Sequence, residues 1–228
     1  MLEPTIKYGV FKEELKNRFL CLVEVDGEDT FCYIPSSCRL SNFVDLTGRD
    51  VLLLPITSPN SRTKYSVYAL SEGNTFILLN MSKANEAIAN CIRSRRFSLL
   101  GKRTHIKREH RIGGYKSDLY IEDTKTIVEI KSILSFAKDR GARFPSVYSQ
   151  RAIEQLMKLS GLIDEGFNVC YLFVSLNPKT KRLVLNEEIK EYRDAFNCCV
   201  EKGMKVKGVS LRLIDSEPII CSNLLVMM

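Results

Sequence analysis

Three residues of the segment Lys116–Ser132 carry the types and spacing of phosphoryl chemistry: Asp118, Glu129 and Lys131. The segment reads as a hairpin, with one arm at Ser117–Ile121, a turn at Glu122-Asp123-Thr124-Lys125 and a second arm at Thr126–Lys131. The second arm has the β-branched, apolar composition of a buried strand, yet it holds Glu129 and Lys131. Buried charge is costly unless it is paired or bound to a metal. Asp118, at the start of the facing arm, can lie across from both. Two carboxylates on neighbouring strands can hold a hard divalent cation through oxygen. Such a cation polarises a phosphate oxygen and lowers the pKa of a bound water. Lys131 follows Glu129 by two residues, so it points to the same face. There it can orient the attacking water or stabilise charge in the transition state. The layout suits a metal-dependent nuclease in which Asp118, Glu129 and the Ile130 carbonyl hold Mg²⁺ or Mn²⁺.

The three-residue pattern alone is weak. Glu-x-Lys occurs at Glu14-Leu15-Lys16, Glu129-Ile130-Lys131 and Glu188-Ile189-Lys190. The first lies in a polar stretch. The third lies on an amphipathic helix whose apolar face is Ile189, Tyr192, Phe196 and Val200. Both outer copies read as solvated charges. The middle copy alone sits in an apolar strand behind a facing Asp, and on spacing alone a strand-edge ion pair of small energy remains the competing explanation.

A chain of 228 residues suits one large domain or two small ones. The first eighty are strand-rich: Lys7–Phe11, Phe19–Val25, Thr30–Ile34, Asp50–Thr57, Lys64–Leu70 and Thr75–Asn80, parted by Gly, Asp, Pro and Ser turns. Short strands with little helix predict a small barrel, with a five-stranded OB-type barrel leading. Basic and aromatic residues interleave there, at Arg18, Phe19, Tyr33, Arg39, Arg62, Lys64, Tyr65 and Tyr68. Such mixtures stack bases and contact phosphate; the same aromatics are equally compatible with an ordinary core. A helix is predicted over Lys83–Arg95, followed by a Gly- and Lys/Arg-rich stretch that reads as a domain junction. Strands and helices then alternate. Strands are expected at Ser117–Ile121, Thr126–Ile130, Asn168–Leu176, Met204–Ile214 and Glu217–Cys221, and helices at Ser149–Leu162 and Asn186–Gly203. This is a mixed α/β domain with helices on a sheet.

The net charge of +7 and a pI near 9.0 point to an anionic partner. Between Arg93 and Arg111 eight Lys and Arg residues, Arg95, Arg96 and Arg103 among them, face one acid, Glu109. That surplus equals the whole chain's. A basic run before a phosphodiester site is what phosphate-backbone binding needs; a solvated linker is the plainer alternative. The segment lacks the apolar face of a membrane-surface helix. No apolar run is long enough to span a bilayer, and Met1–Thr5 lacks the basic-then-apolar pattern of a signal peptide. None of the eight cysteines forms C-x-x-C spacing, and they read as reduced thiols in a cytoplasm. His105 and His110 lie within the basic run without Cys or carboxylate support, as surface residues rather than ligands. A Gly-rich phosphate loop and a Gly-x-Ser-x-Gly elbow are both missing.

With these residues in view the chain resembles the sugar fermentation stimulation protein A family along nearly its whole length. Asn17-Arg18-Phe19-Leu20 is similar to the family's early Asn-Arg-Phe signature, and Ile34-Pro35-Ser36-Ser37-Cys38-Arg39-Leu40 to its Leu-Pro-Asn-x-Gly-Arg-Leu stretch. Arg62-Thr63-Lys64-Tyr65 and Leu79–Asn85 fit the next two blocks. Asp118 fits Ser-Arg-x-Asp-Phe, Val128–Ser132 fits Val-Glu-Val-Lys-Ser, and Phe144-Pro145 with Arg151, Leu156 and Leu159 fits Phe-Pro-Asp-Ala…Arg-Gly-x-Lys-His-Leu. Leu172-Phe173-Val174 fits the strand that follows. The order and spacing of the set, rather than any one match, make it specific.

The resemblance implies an N-terminal OB-fold domain, residues 1–82, and a C-terminal PD-(D/E)XK nuclease-like domain, residues 83–228. It implies DNA as the partner, no membrane, and an oligomeric state left open, with a dimer as one option. By position Asp118, Glu129 and Lys131 take the catalytic places, and Glu109 matches an acid upstream of the metal-binding Asp. Arg151 and Gln155 share a face of the following helix, and Lys116 and Arg151 flank the acidic set as nucleic-acid contacts. Lys116 stands where the family has Arg, Ser146 where it has Asp, Ala152 where it has Gly, and Ser36–Cys38 where it has Asn-x-Gly. Gln155 stands where the family usually has His, so no proton-transfer role follows at that position. The family's association with maltose metabolism implies a second reading: a non-catalytic DNA-binding regulator that uses the nuclease-like fold as a surface.

Overall fold

The computed structural model describes residues 6–35, 39–42, 44–137 and 139–228. The Ser36–Cys38 departure and the Met1–Thr5 leader reading lie outside the described residues. Strands β1 (Lys7–Glu14), β2 (Leu20–Val25), β3 (Glu28–Tyr33), β4 (Asp50–Pro55), β5 (Tyr65–Glu72) and β6 (Thr75–Leu78) pair in the order β3-β2-β1-β4-β5-β6. A parallel contact of β3 with β5, Cys32↔Tyr65 and Tyr33↔Ser66, closes the first five into a barrel. That is the expected OB-like closure, and β6 extends it. Alternation drives it: along β2, Cys21, Val23 and Val25 point inward. Asp26 and Gly27, both at positive φ, make the two-residue turn into β3.

The chain then enters helix α1 (Met81–Cys91), capped by Asn80, whose side chain accepts the Lys83 N–H at 3.1 Å. Short strands β7 (Ile106–Arg108), β8 (Arg111–Ile112), β9 (Tyr115–Lys116) and β10 (Leu119–Ile121) lead to β11 (Thr126–Ile133) and β12 (Gly141–Phe144). Helix α2 (Gln150–Asp164), β13 (Asn168–Ser175), β14 (Arg182–Leu185), helix α3 (Lys190–Glu201), β15 (Lys205–Ile214), β16 (Glu217–Asn223) and β17 (Leu225–Met227) complete the chain. The central sheet runs β16-β15-β13-β11-β10-β7, with β11, β13 and β15 parallel. Helices α2 and α3 pack on one face. Ile153, Leu156, Leu159 and Leu162 of α2 are buried at helical spacing against Ile127, Ile133 and Phe173. Each fully buried leucine contributes about 1.5–3 kcal/mol.

The other face joins the two halves. Val128, Ile130, Leu172 and Val209 share a core with Leu52, Tyr68 and Leu78 of the barrel. The Leu78 N–H donates to the Leu176 carbonyl at 3.1 Å, and the Tyr68 hydroxyl donates to the Ser216 carbonyl at 2.7 Å. Tyr68 is therefore core rather than a stacking surface.

The basic stretch after α1 is partly packed, against its plainer alternative as a solvated linker: Phe97 and Leu100 are buried there, and Arg93 and Arg103 donate to backbone carbonyls around it. Two sequence expectations need correction. The last helix begins at Lys190 rather than Asn186, because the Asn186 side chain accepts the Glu188 N–H in a turn that competes with helix. Glu14 is not a solvated charge; its carboxylate accepts the N–H groups of Leu40 and Ser41 at 2.8 and 2.9 Å.

Candidate metal-binding cleft

The site forms where β10 stops short of its partner. β10 pairs with β11 through Leu119↔Val128, so Asp118 falls opposite Glu129 just past the ladder's end. The Asp118 backbone carbonyl accepts the Glu109 N–H at 2.9 Å on the β7 side. Towards β11 its side chain takes over, and Oδ2 accepts the Ile130 N–H at 2.7 Å. A buried N–H left without a partner costs about as much as a lost hydrogen bond, so this carboxylate finishes the sheet as well as facing the cleft.

Strand periodicity places the other groups. Ile127, Glu129, Lys131 and Ile133 share the β11 face that α2 covers, while Val128 and Ile130 face the barrel side. Glu129 is 4% exposed. Its Oε1 meets Lys131 Nζ at 2.7 Å, and its Oε2 accepts the Tyr115 hydroxyl at 2.5 Å. Lys131 Nζ also donates to Gln155 Oε1 at 2.8 Å, across from α2. The lysine thus bridges strand and helix.

Burial first, then repulsion from Glu129, pushes the Asp118 carboxyl up to about 6; the Ile130 N–H and Lys131 partly oppose this. Burial and the neighbouring Glu129 likewise hold the Tyr115 hydroxyl well above the ordinary tyrosine range. Glu109 is exposed, and its ion pair with Lys116 at 2.5 Å holds its carboxyl below the usual range.

Asp118, Glu129, Gln155, Glu109, Lys116 and Arg151 line one cleft of about 360 Å³, with Lys131 joined to it through Glu129 and Gln155. A smaller recess of about 70 Å³ shares Glu109 and Asp118 and adds Ser82, Asn85, Arg108 and Ile130. Ile130 enters the site through its N–H, a role the sequence reading did not assign. Tyr115 was missed altogether. Its signal was faint: an aromatic in a two-residue strand beside Gly113-Gly114, which make the β8–β9 turn at positive φ. Among the described residues no group of three or more His, Cys, Asp or Glu side chains gathers as a metal cage. The cleft offers one buried carboxylate, Glu129, and one half-buried, Asp118, and such a pair suits a hard cation that keeps part of its water shell.

The remaining candidates lie outside the cleft lining. Arg103 donates to the Gly101 and Ser94 carbonyls, and Arg96 to Asn223 Oδ1 at 3.1 Å. Arg95 and Lys64 are exposed. Arg39 donates to the Leu15 and Lys16 carbonyls, tying a barrel loop. Arg18 lies over the Phe19 ring at 4.6 Å, and Phe19 stacks on Tyr33 at 6.3 Å on the barrel's surface. His105 pairs with Asp123, and His110 stacks on Tyr120.

Comparison with known proteins agrees with this architecture. Residues 15–79 match the family model described as the SfsA N-terminal OB domain, and residues 82–217 match that of the sugar fermentation stimulation protein RE domain. The chain is similar to the sugar fermentation stimulation protein homolog of Clostridium beijerinckii, at 25% identity over 89% of each chain. It is also similar to the homolog of Desulfitobacterium hafniense strain Y51, at 26% identity over 95% of this chain and 94% of the relative. The solved structure of Pyrococcus furiosus SfsA in complex with Ca²⁺ shares the fold, with a TM-score of 0.84, 20% identity, and coverage of 98% of this chain and 96% of that one.

Proposed function

This chain belongs to the sugar fermentation stimulation protein family, and on that premise we propose that it binds DNA and hydrolyses phosphodiester bonds with Mg²⁺ or Mn²⁺ at the Asp118–Glu129–Lys131 cleft. The observation that carries this reading is a buried carboxylate, Glu129, beside a half-buried one, Asp118, with Lys131 paired to Glu129. Like charges in a partly dry site repel, and a bound cation relieves them. The donors fit Mg²⁺, which binds through one or two carboxylates and retains water. Asp118, Glu129 and the Ile130 carbonyl would hold it. When bound, the ion supplies Lewis-acid stabilisation of a phosphate oxygen and a more acidic water.

The chain's own residues do the rest. Lys131, steadied by Gln155, presents its ammonium to the charge that develops on the phosphoryl group. Gln155 positions that lysine and carries no proton. Arg151 and Lys116 at the cleft wall neutralise backbone phosphates. The exposed Arg18–Phe19–Tyr33 stack offers a surface for unpaired bases. The free cysteines among the described residues, four of them buried as small hydrophobes, accord with a reducing compartment, and we place the protein in the cytoplasm.

A second reading has its own observation. Lys131 already neutralises Glu129, and no third acidic ligand joins the pair among the described residues. That suits a DNA-binding regulator of sugar metabolism in which the cleft is a binding surface. Incubation with linear, nicked and single-stranded DNA, in Mg²⁺, in Mn²⁺ and in chelator, separates the two. Metal-dependent cleavage that Asp118→Asn abolishes supports the nuclease. Binding without cleavage in every metal supports the regulator.

A further inference from the structure

Tyr115 is 4% exposed, with its ring in the core between the sheet and α2. Its hydroxyl donates to Glu129 Oε2, while Glu129 Oε1 faces Lys131. The two oxygens are held in different ways. Lys131 ends a flexible chain and already reaches Gln155 as a second partner, so it can release Oε1. Tyr115 has no such freedom. Its ring is packed, and its strand is held within the β8–β9 hairpin by the pairing of Ile112 with Tyr115 and by the Ser117 N–H bond to the His110 carbonyl.

We propose that Tyr115 is a positioning residue that leaves Glu129 a single free oxygen and thereby sets the cleft's preference for a small octahedral cation over Ca²⁺. The inference rests on the reading of the cleft as a divalent-metal site. Ca²⁺ takes roughly 6–8 oxygens and commonly both oxygens of a carboxylate, whereas Mg²⁺ demands near-octahedral geometry and is served by one carboxylate oxygen with water around it. A hydroxyl fixed on Oε2 takes one of that oxygen's lone pairs and holds the carboxylate's orientation, which weakens bidentate binding of Ca²⁺ and takes nothing from Mg²⁺. Asp118 is restricted in the same sense, since the Ile130 N–H occupies its Oδ2. Each acid therefore has one oxygen already engaged by a fixed donor.

The test is calorimetric titration of the full chain with Mg²⁺, Mn²⁺ and Ca²⁺. It compares wild type, Tyr115→Phe and the control Tyr192→Phe, whose hydroxyl pairs with Tyr171 at 2.9 Å. Tyr115→Phe keeps the buried ring; should it be unstable, Tyr115→Leu reads the same ratio. Tyr115→Phe is expected to raise Ca²⁺ affinity relative to Mg²⁺ by on the order of fivefold or more, the scale of one hydrogen bond. Tyr192→Phe should leave the ratio where it is. An unchanged ratio in folded Tyr115→Phe, or an equal shift in the control, overturns the inference while the metal reading stands. Wild type that binds none of the three ions overturns the metal reading and this inference with it.

Discussion

Asp118 accepts the backbone N–H of Ile130 at 2.7 Å, so the carboxylate that faces the cleft also completes the sheet at the point where β10 ends. Its raised pKa, about 6 against 3.8, has a definite sign. Protonation favours the folded, metal-free protein: that contribution is fully present below pH 4 and is lost as pH rises through 6. Asp118→Asn, which keeps an acceptor for Ile130, should stabilise the metal-free protein at pH 7.5 by on the order of 1–3 kcal/mol. At pH 3.5 the gain should vanish. Denaturation in chelator at both pH values checks this, and a pH-independent difference would count against the raised pKa.

Cation binding needs the same group ionised, so protons and metal compete. Mn²⁺ affinity of the wild type should fall as pH drops through 6. Asp118→Asn should bind weakly at every pH. Calorimetry from pH 5 to 8 decides it, and equal binding by both proteins removes Asp118 from the ligand set.

The nuclease reading gives Lys131 two roles that separate experimentally. In metal-free protein it neutralises Glu129, a pair with 16% and 5% side-chain exposure. Lys131→Ala should therefore cost about 3 kcal/mol in chelator, the scale of orphaning a buried charge, and Mn²⁺ should restore much of it. Cleavage should fall by on the order of a hundredfold, with little change in DNA affinity. A parallel loss of affinity would make Lys131 a phosphate contact instead.

The basic run divides by what its side chains touch. Arg95→Gln in the run, and Lys116→Gln at the cleft wall, where the lysine's ion pair with Glu109 is exposed, should each lower the slope of log K against log salt by roughly 0.7–0.9, for all DNA sequences alike. Arg103→Gln should leave that slope unchanged and lower thermal stability, because its guanidinium serves the Gly101 and Ser94 carbonyls. Salt-dependent fluorescence anisotropy beside thermal melts tests the division. A slope change in Arg103→Gln would place it on the DNA path after all.

Local pattern carried much of this protein. The alternation in β2, the continuous β-branched apolar run of β11, the helical spacing of Ile153, Leu156, Leu159 and Leu162, and the charged pair within that run are all short-range signals, and each led to its element. Asp118, Glu129 and Lys131 were legible because a hairpin joins them and strand periodicity orients them. What lay beyond reach depended on packing between distant segments. The strands β12, β14 and β17 are three or four residues long, too short for a pattern of their own, and exist because they pair with one another. Tyr115 reaches Glu129 because the β8–β9 hairpin folds over the cleft. Glu14 read as a solvated charge and Arg103 as a phosphate contact, and only the folded structure supplied the N–H groups and carbonyls that occupy them. A charge advertises its chemistry locally; its partner is decided by where the chain returns.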